Sequence, residues 1–113
     1  MRHKYNARST TFNGYKFDSV AEAEVYKKLL ALERAGKIHD LRVHPTFELQ
    51  KPFVDHAGKR QRAIAYEADF YYIEPGTPLP VVCEVKGAET EAWKIKKKLF
   101  LYRYPEYELR IIR

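Results

Sequence analysis

The fold is decided by two segments, Tyr-Glu-Ala-Asp at residues 66–69 and Glu-Val-Lys at residues 84–86. The second segment overlaps the apolar run Val81–Val85, which is typical of a buried strand. Side chains at positions i and i+2 of a strand point to the same face, so Glu84 and Lys86 project together. A charged pair in an apolar strand is costly to bury unless it serves a purpose. The pattern therefore predicts a carboxylate and a lysine presented at one edge of a sheet.

A hairpin would bring a second carboxylate to this pair. Residues 62–73 are rich in Tyr, Ile and Phe, which predicts a strand, and residues 74–80 contain three prolines and a glycine, which predicts a loop. If the loop is centred near Thr77, Asp69 falls opposite Val85. Glu84 and Lys86 would then be the diagonal neighbours of Asp69, within reach of long side chains.

These groups have the chemistry of a magnesium site. Asp69, Glu84, the carbonyl of Val85 and waters are oxygen ligands of the kind that Mg²⁺ prefers, with Mn²⁺ as a substitute. Lys86 would steady a water or stabilise charge on a phosphodiester beside the metal. The simpler alternative is a structural cross-strand salt bridge between Lys86 and one of the carboxylates.

Composition favours a small nucleic-acid-binding protein. The chain has 113 residues, which predicts a single domain over 1–113, and 45% hydrophobic residues indicate a folded globule. A net charge of +6 favours a polyanionic partner, chiefly DNA. No apolar run is long enough to span a membrane, and the single cysteine excludes an intramolecular disulfide, so we expect a cytoplasmic protein. The four histidines lack metal-ligand spacing with that cysteine, which argues against a zinc site.

The order of elements predicts an α/β fold. Residues 1–16 are polar and basic and indicate an N-terminal arm, with Lys4 and Arg8 as candidate DNA contacts and a short strand with an Asn-Gly turn at its end. A first helix is expected from Ser19 to about Ala35, and a second over residues 90–104. Strands fill the space between the helices, and one more follows the second helix, which gives the order α-β-β-β-α-β.

Glu22 has two interpretations. Ser19-x-x-Glu22 fits a capping box, in which the glutamate only supports the start of the helix. At 100° per residue, however, Glu22 lies in the middle of the apolar stripe formed by Val25, Tyr26, Leu29 and Leu32, where a carboxylate needs a partner. Glu24 falls on the opposite, lysine-bearing side of the helix.

The second helix carries four lysines that need not share one role. Lys97 shares its face with Trp93 and two other aromatic residues, so it would either lie along that surface or reach a scissile phosphate. Lys94 and Lys98 are better candidates for contacts to the DNA backbone that position without reading sequence. Most lysines on a helix are simply solvated, which remains the alternative for all of them.

The chain as a whole resembles the PD-(D/E)XK nuclease superfamily, and within it a family of short, mostly phage-encoded proteins related to Holliday-junction resolvases. The resemblance rests on an ordered set of segments that spans nearly the whole chain: Lys4-Tyr5-Asn6-Ala7, Phe17-Asp18-Ser19-x-x-Glu22, Pro45-x-Phe47-Glu48-Leu49, Tyr66-x-Ala68-Asp69-Phe70, Glu84-Val85-Lys86-Gly87 and Lys96-Lys97-Lys98-Leu99-Phe100. Ala68 stands where the superfamily pattern has a proline. The surroundings of Gln50 and Asp69 also resemble transposon-end endonucleases.

The resemblance implies a restriction-endonuclease-like core, with a mixed central sheet flanked by two main helices. It implies Mg²⁺-dependent cleavage of branched or structured DNA in a bacterial host cell, and it places Glu22 in the metal site with Asp69 and Glu84. The catalytic set is then Asp69, Glu84, Lys86, Glu22 and Lys97. Because the chain has no room for a separate sequence-reading domain, we expect recognition of DNA shape and backbone, with a homodimer as one way to space two sites. The alternatives are a transposon-end or restriction-like endonuclease, a non-catalytic DNA-binding module of the same fold, and an interaction protein that uses its tyrosines.

Overall fold

The computed structural model describes residues 9–113. The described chain is mixed α/β, with two main helices and several short strands. In chain order the elements are β1 (Thr10–Phe12), β2 (Tyr15–Phe17), α1 (Val20–Arg34), β3 (His39–Val43), β4 (Thr46–Gln50), β5 (Phe53–Val54), β6 (Arg60–Gln61), β7 (Ile64–Glu67), β8 (Phe70–Ile73), β9 (Val81–Val85), α2 (Glu91–Arg103) and β10 (Glu108–Ile112). Neither helix of residues 9–113 is both long and apolar enough to cross a membrane.

A four-stranded sheet with the order β10-β9-β8-β3 forms the centre of the fold. β9 runs parallel to β10, whereas β8 is antiparallel to both β9 and β3, so the sheet is mixed. All five residues of β9 are buried, as the apolar run predicted. The crossover from β9 to its parallel neighbour β10 is made by α2, as a parallel connection requires.

Each helix covers its own hydrophobic cluster. α1 contributes Tyr26 and Leu29 to a cluster that contains Phe70 and Cys83 of the sheet. α2 contributes Phe100 to a second cluster with Val82 and Tyr66. Since Val82 and Cys83 are successive residues of one strand, their side chains point to opposite faces, so the two helices flank the sheet.

The helix boundaries follow their capping residues. Ser19 is the N-cap of α1 and its Oγ accepts a hydrogen bond from the Glu22 N–H at 3.1 Å, while Thr90 caps α2 by accepting from the Trp93 N–H at 3.1 Å. α1 ends at Arg34, and Gly36 follows with φ of 75°, a left-handed conformation that glycine adopts without strain. Both predicted helices are therefore confirmed within one residue at each end.

Two long strands bend together beside the central sheet. β3 continues into β4 after a break at residues 44–45, and β7 continues into β8 after a break at residues 68–69. The two breaks lie next to each other in the structure. Two backbone hydrogen bonds of 2.9 Å join the corners, from Ala68 N–H to the Pro45 carbonyl and from His44 N–H to the Asp69 carbonyl. The bend carries β4 and β7 towards α2, where the Arg103 guanidinium donates to the Leu49 carbonyl at 2.7 Å. It also places Asp69 at a corner of the sheet.

The short strand and Asn-Gly turn expected at the end of the arm are confirmed, since residues 10–17 form a β-hairpin packed on α1, with Asn13 donating to the Tyr26 hydroxyl at 2.8 Å. Two details differ from the sequence prediction. The chain has more strands than the order α-β-β-β-α-β, because the bend divides two strands and Phe53–Gln61 adds a small hairpin. Leu32, which was predicted to lie on the apolar stripe of α1, is 41% exposed, whereas Ala23 is buried.

Candidate functional site

The ladder between β8 and β9 stops one residue short of Asp69. It pairs Tyr72 with Val81 and Phe70 with Cys83, so the predicted register, which set Asp69 opposite Val85, is wrong by one residue. The difference matters, since a slip of one residue turns a side chain to the other face of the sheet. Asp69 precedes β8 at the bend, and its hydrogen bonds to Cys83 and Val85, the two neighbours of Glu84, bring it beside Glu84.

Asp69 is completely buried and is hydrogen-bonded through both its backbone and its side chain. Its N–H donates to the Cys83 carbonyl at 3.1 Å, and its carbonyl accepts from the His44 N–H at 2.9 Å. Its side-chain Oδ2 accepts from the Val85 N–H at 2.6 Å. Because the N–H and C=O of one strand residue point to the same neighbouring strand, the Val85 carbonyl lies on the Asp69 side of β9.

Glu84 is oriented by a tyrosine of β7. The Tyr66 hydroxyl donates to Glu84 Oε1 at 2.6 Å, and both residues are buried. Glu84 alternates with Val82 along β9 and so points to the α2 side of the sheet. A charge-assisted hydrogen bond of this length fixes the carboxylate in one orientation.

Removing the Tyr66 hydroxyl tests this support. In Tyr66→Phe the ring still packs on Phe100, but Glu84 loses its orienting donor. We expect the function of the carboxylate, measured as divalent-cation affinity by calorimetry, to fall roughly 10-fold, the lower end of the effect of removing groups that orient metal ligands. Tyr104→Phe is the matched control, because it removes a 2.7 Å hydrogen bond to a backbone carbonyl of β4 and touches neither carboxylate. Equal losses in both variants would show that Tyr66 acts only through stability.

Lys86 lies in the same cleft as Glu84 but is not paired with either carboxylate of the strands. Its Nζ is 3.5 Å from Glu89 Oε2, in an ion pair between residues three apart in the β9–α2 connection. The alternative of a cross-strand salt bridge from Lys86 to Asp69 or Glu84 therefore does not hold. The ammonium group is partly exposed and can reach a ligand in the cleft.

The cleft that contains Glu84 and Lys86 has a volume of about 570 Å³ and lies between the end of β9, the start of α2 and the two-stranded β4–β7 sheet. Among residues 9–113, four acidic side chains and two lysines line it, so the formal charge of this described lining is opposite in sign to that of the whole chain. The charged lining residues are Asp18, Glu67, Glu84, Glu89, Lys86 and Lys96. An acidic cleft in a protein of net charge +6 favours a cation inside the cleft and a polyanion around it.

Glu22 is completely buried and its carboxylate is directed at a histidine. Oε1 lies 2.7 Å from Nε2 of His44, whose ring also packs edge-on against Phe17 at 5.8 Å. The capping contact to Ser19 uses the backbone N–H of Glu22, not its side chain. The structure therefore favours the second interpretation of Glu22: its side chain faces inward and is linked through His44 to the Asp69 corner, and only its backbone N–H takes part in the cap.

Of the lysines of α2, Lys96 and not Lys97 lines the cleft. The Nζ of Lys97 lies over the Trp93 ring, 5.4 Å from its centroid. This is the packing alternative foreseen for Lys97, and a catalytic role for it finds no support in this placement. Lys94 pairs with Glu91 at 3.3 Å on the exposed face, and Lys98 is exposed. Lys4 and Arg8 lie outside the described residues.

Three residues of the site were not selected from the sequence as site residues. Tyr66 and His44 contact the two buried glutamates, and Trp93 lines the cleft. His44 has φ of 55°, an uncommon conformation for a residue other than glycine, and it directly precedes Pro45 at the strand break. From the sequence, only the position of His44 before a proline could have marked it as a residue at a strand break. That His44 contacts Glu22 and Tyr66 contacts Glu84 could not be predicted, because both contacts depend on how the strands bend.

The donor set fits a hard divalent cation. Asp69 and Glu84 provide carboxylates whose orientation is fixed by hydrogen bonds to one oxygen each, as is usual for metal ligands. Within residues 9–113, no group of three or more His, Cys, Asp or Glu side chains is close enough to hold a metal by itself. A cation held here would therefore draw its remaining ligands from the backbone, water and substrate, as Mg²⁺ commonly does.

Comparison with known proteins identifies the family. A protein-family model described as "Protein of unknown function (DUF1064)" matches residues 2–113. The chain belongs to the DUF1064 family. No curated protein and no solved structure matches it significantly. The DUF1064 match includes the two buried carboxylates, Lys86 and the whole lining of the cleft.

Proposed function

We propose that this DUF1064 protein is a Mg²⁺-dependent DNA endonuclease with a restriction-endonuclease-like, PD-(D/E)XK core that acts on branched or structured DNA. The observation that carries the proposal is the pair of buried carboxylates, Asp69 and Glu84, brought together because Asp69 bonds to both neighbours of Glu84 on β9. Two carboxylates held close together favour a bound cation between them. Lys86 directly follows β9 and shares the cleft with Glu84.

Each of these residues has a separate task in the proposed reaction. Asp69 and Glu84, with the Val85 carbonyl, would hold Mg²⁺, which when bound supplies positive charge against the phosphoryl oxygens. Lys86 would exchange its ion pair with Glu89 for a contact to the scissile phosphate or to the attacking water. Glu22, held by His44 and joined through it to the Asp69 corner, would add negative charge beside the cation.

The charge distribution supports a nuclease that needs its metal before it accepts a phosphate. Among the described residues that line the cleft, acidic side chains outnumber lysines, so without a cation this lining repels a DNA backbone at close range. The rest of the chain is strongly basic and attracts DNA at longer range. Divalent cations should therefore strengthen DNA binding, in contrast to their usual effect of competing for phosphates.

A cleavage assay tests the proposal directly. Purified protein is incubated with a labelled duplex, a flapped duplex and a four-way junction in Mg²⁺, Mn²⁺, Ca²⁺ or EDTA. We expect cleavage with Mg²⁺ and Mn²⁺, binding without cleavage in Ca²⁺, and preference for the branched substrates. Cleavage restricted to particular sequences in plain duplex would instead favour a transposon-end or restriction-like enzyme. Binding without cleavage in any metal would favour a non-catalytic DNA-binding module.

The exposed lysines of α2 should affect affinity and not chemistry. Replacing Lys94 and Lys98 with Ala should flatten the slope of log K against log salt by up to about 1.8, since each lost phosphate contact contributes about 0.9. The measurement is a salt titration by fluorescence anisotropy with Ca²⁺ present.

Lys27 and Lys28 of α1 provide the matched control. Lys27 also pairs with a glutamate three residues away at 3.3 Å, but it lies on the helix that covers the other face of the sheet. Their replacement with Ala should leave the slope nearly unchanged. An unchanged slope in the Lys94/Lys98 variant with weaker binding would show that these lysines are structural.

A further inference from the structure

Trp93 is the one tryptophan of the chain, and it stands in the wall of the cleft. It lies in the first turn of α2, where its N–H is bonded to the Thr90 hydroxyl, so the position of its backbone is fixed. Lys96, one turn further along the helix, lines the same cleft. An aromatic ring and a lysine one helical turn apart are therefore presented beside Glu84 and Lys86.

The indole of Trp93 is not accounted for by packing alone. It belongs to neither hydrophobic cluster of the described residues. Its Nε1 is buried and has no hydrogen-bond partner among residues 9–113. A buried tryptophan normally places this donor on an acceptor, and leaving it unbonded costs stability. The ring is also in contact with the Lys97 ammonium, which lies 5.4 Å from the ring centroid.

We propose that Trp93 is a stacking platform for an unpaired nucleobase of the DNA, with Lys96 contacting the adjacent phosphate. Base–aromatic stacking beside basic side chains is the general mode of binding to single-stranded nucleic acid. This inference rests on the proposed nuclease function and specifies its substrate: the strand at the site has an unpaired base, as at a flap, gap or junction, whereas an intact duplex keeps its bases stacked on one another.

The single tryptophan makes the proposal directly measurable. Intrinsic fluorescence of the wild-type protein is recorded during titration with a single strand, a flapped duplex and a fully paired blunt duplex, in Ca²⁺ so that cleavage does not intervene. Binding is followed in parallel by anisotropy of labelled DNA. We expect quenching by the single strand and the flapped duplex, and little change with the blunt duplex at equal saturation. Equal quenching by the blunt duplex, or none by any bound DNA, overturns the proposal.

Substitution separates stacking from folding. Trp93→Ala should weaken binding of the flapped duplex by about 5- to 150-fold, corresponding to ~1–3 kcal/mol for one stacked base. Trp93→Phe keeps an aromatic face and should recover most of the affinity. Tyr102→Ala is the matched control, because this ring is on the same helix but 82% exposed and outside the cleft lining. Thermal melts of the three variants show whether the fold is kept. Equal affinity of the Ala and Phe variants, both folded, rules out stacking.

The two proposals fail separately. Cleavage of DNA in Mg²⁺ without any quenching would leave the nuclease standing and remove the stacking platform. Quenching by single strands without cleavage in any metal would remove the nuclease and leave a cleft that binds unpaired bases. Absence of DNA binding by anisotropy would overturn both.

Discussion

Replacing Asp69 with Asn should abolish DNA cleavage, with a loss of roughly 1,000-fold or more. Asn keeps an acceptor for the Val85 N–H, which now donates to Asp69 Oδ2 at 2.6 Å, and it has nearly the same volume. What it removes is the negative charge that holds the cation. Compensating charge on a transferring phosphoryl group is worth several kcal/mol, and each ~1.4 kcal/mol corresponds to a factor of ten in rate. Single-turnover cleavage of a flapped duplex in Mg²⁺ measures the effect.

The control for this variant is Asp55→Asn. Asp55 lies in the turn of the small β5–β6 hairpin, where its carboxylate accepts backbone hydrogen bonds from Ala57 and Lys59 at 2.9 and 3.0 Å. Within the described part of the chain its side chain bonds only to residues of that hairpin, whereas Asp69 bonds to β9 beside Glu84, so the same chemical change in Asp55 should leave cleavage within a factor of a few. Calorimetric titration with Mg²⁺ should show weaker binding only for the Asp69 variant. Turnover like that of the wild type in folded Asp69→Asn protein would refute the assignment of the active site.

Glu22→Gln should reduce cleavage about 100-fold while the helix start stays intact. The cap is made by the backbone N–H of Glu22 to Ser19 Oγ, which a change of side chain does not touch. Gln can still accept a hydrogen bond from His44, which lies 2.7 Å from the present carboxylate. The variant therefore removes charge and little else. Loss of a charge close to a bound cation weakens its binding, and partners that support metal ligands typically contribute 10–100-fold.

Glu24→Gln is its control on the outer face of the same helix. Glu24 is exposed and pairs with Lys27 at 3.3 Å, an interaction worth little to stability. Cleavage rates and thermal melts of both variants are compared. If Glu22→Gln lowers the melting temperature but cuts DNA as fast as Glu24→Gln does, the Glu22–His44 pair is a structural element only. The site would then consist of Asp69, Glu84 and Lys86.

Much of the local structure could be predicted from short segments. Ser19 and Thr90 cap the two helices, Gly36 follows the first, and the apolar residues 81–85 form the buried central strand. These features depend on neighbours within a turn or on the period of side chains along one strand, so the sequence contains them explicitly. The α/β class followed from their order.

The errors concern relations between distant segments. The register between β8 and β9 was predicted from the midpoint of the loop at residues 74–80, whereas the structure pairs Tyr72 with Val81 and Phe70 with Cys83. Lys97 was chosen for its helix face, yet Lys96 is the lysine that lines the cleft. Leu32 was assigned to the buried stripe, but the parts of the fold that cover α1 do not reach it.

The sequence by itself determined the two helices, the buried strand with Glu84 and the lysine that follows it, the α/β class and the basic charge. Tertiary structure decided which side chains meet there. The paired bend at His44–Pro45 and Ala68–Asp69 turns Asp69 into the corner, and it carries Tyr66 onto Glu84. Such contacts join residues 18 to 22 positions apart or more, as for Glu22 and His44. The energy of these hydrogen bonds depends on burial and on the distance between donor and acceptor, and neither can be read from the pattern of neighbouring residues in the sequence.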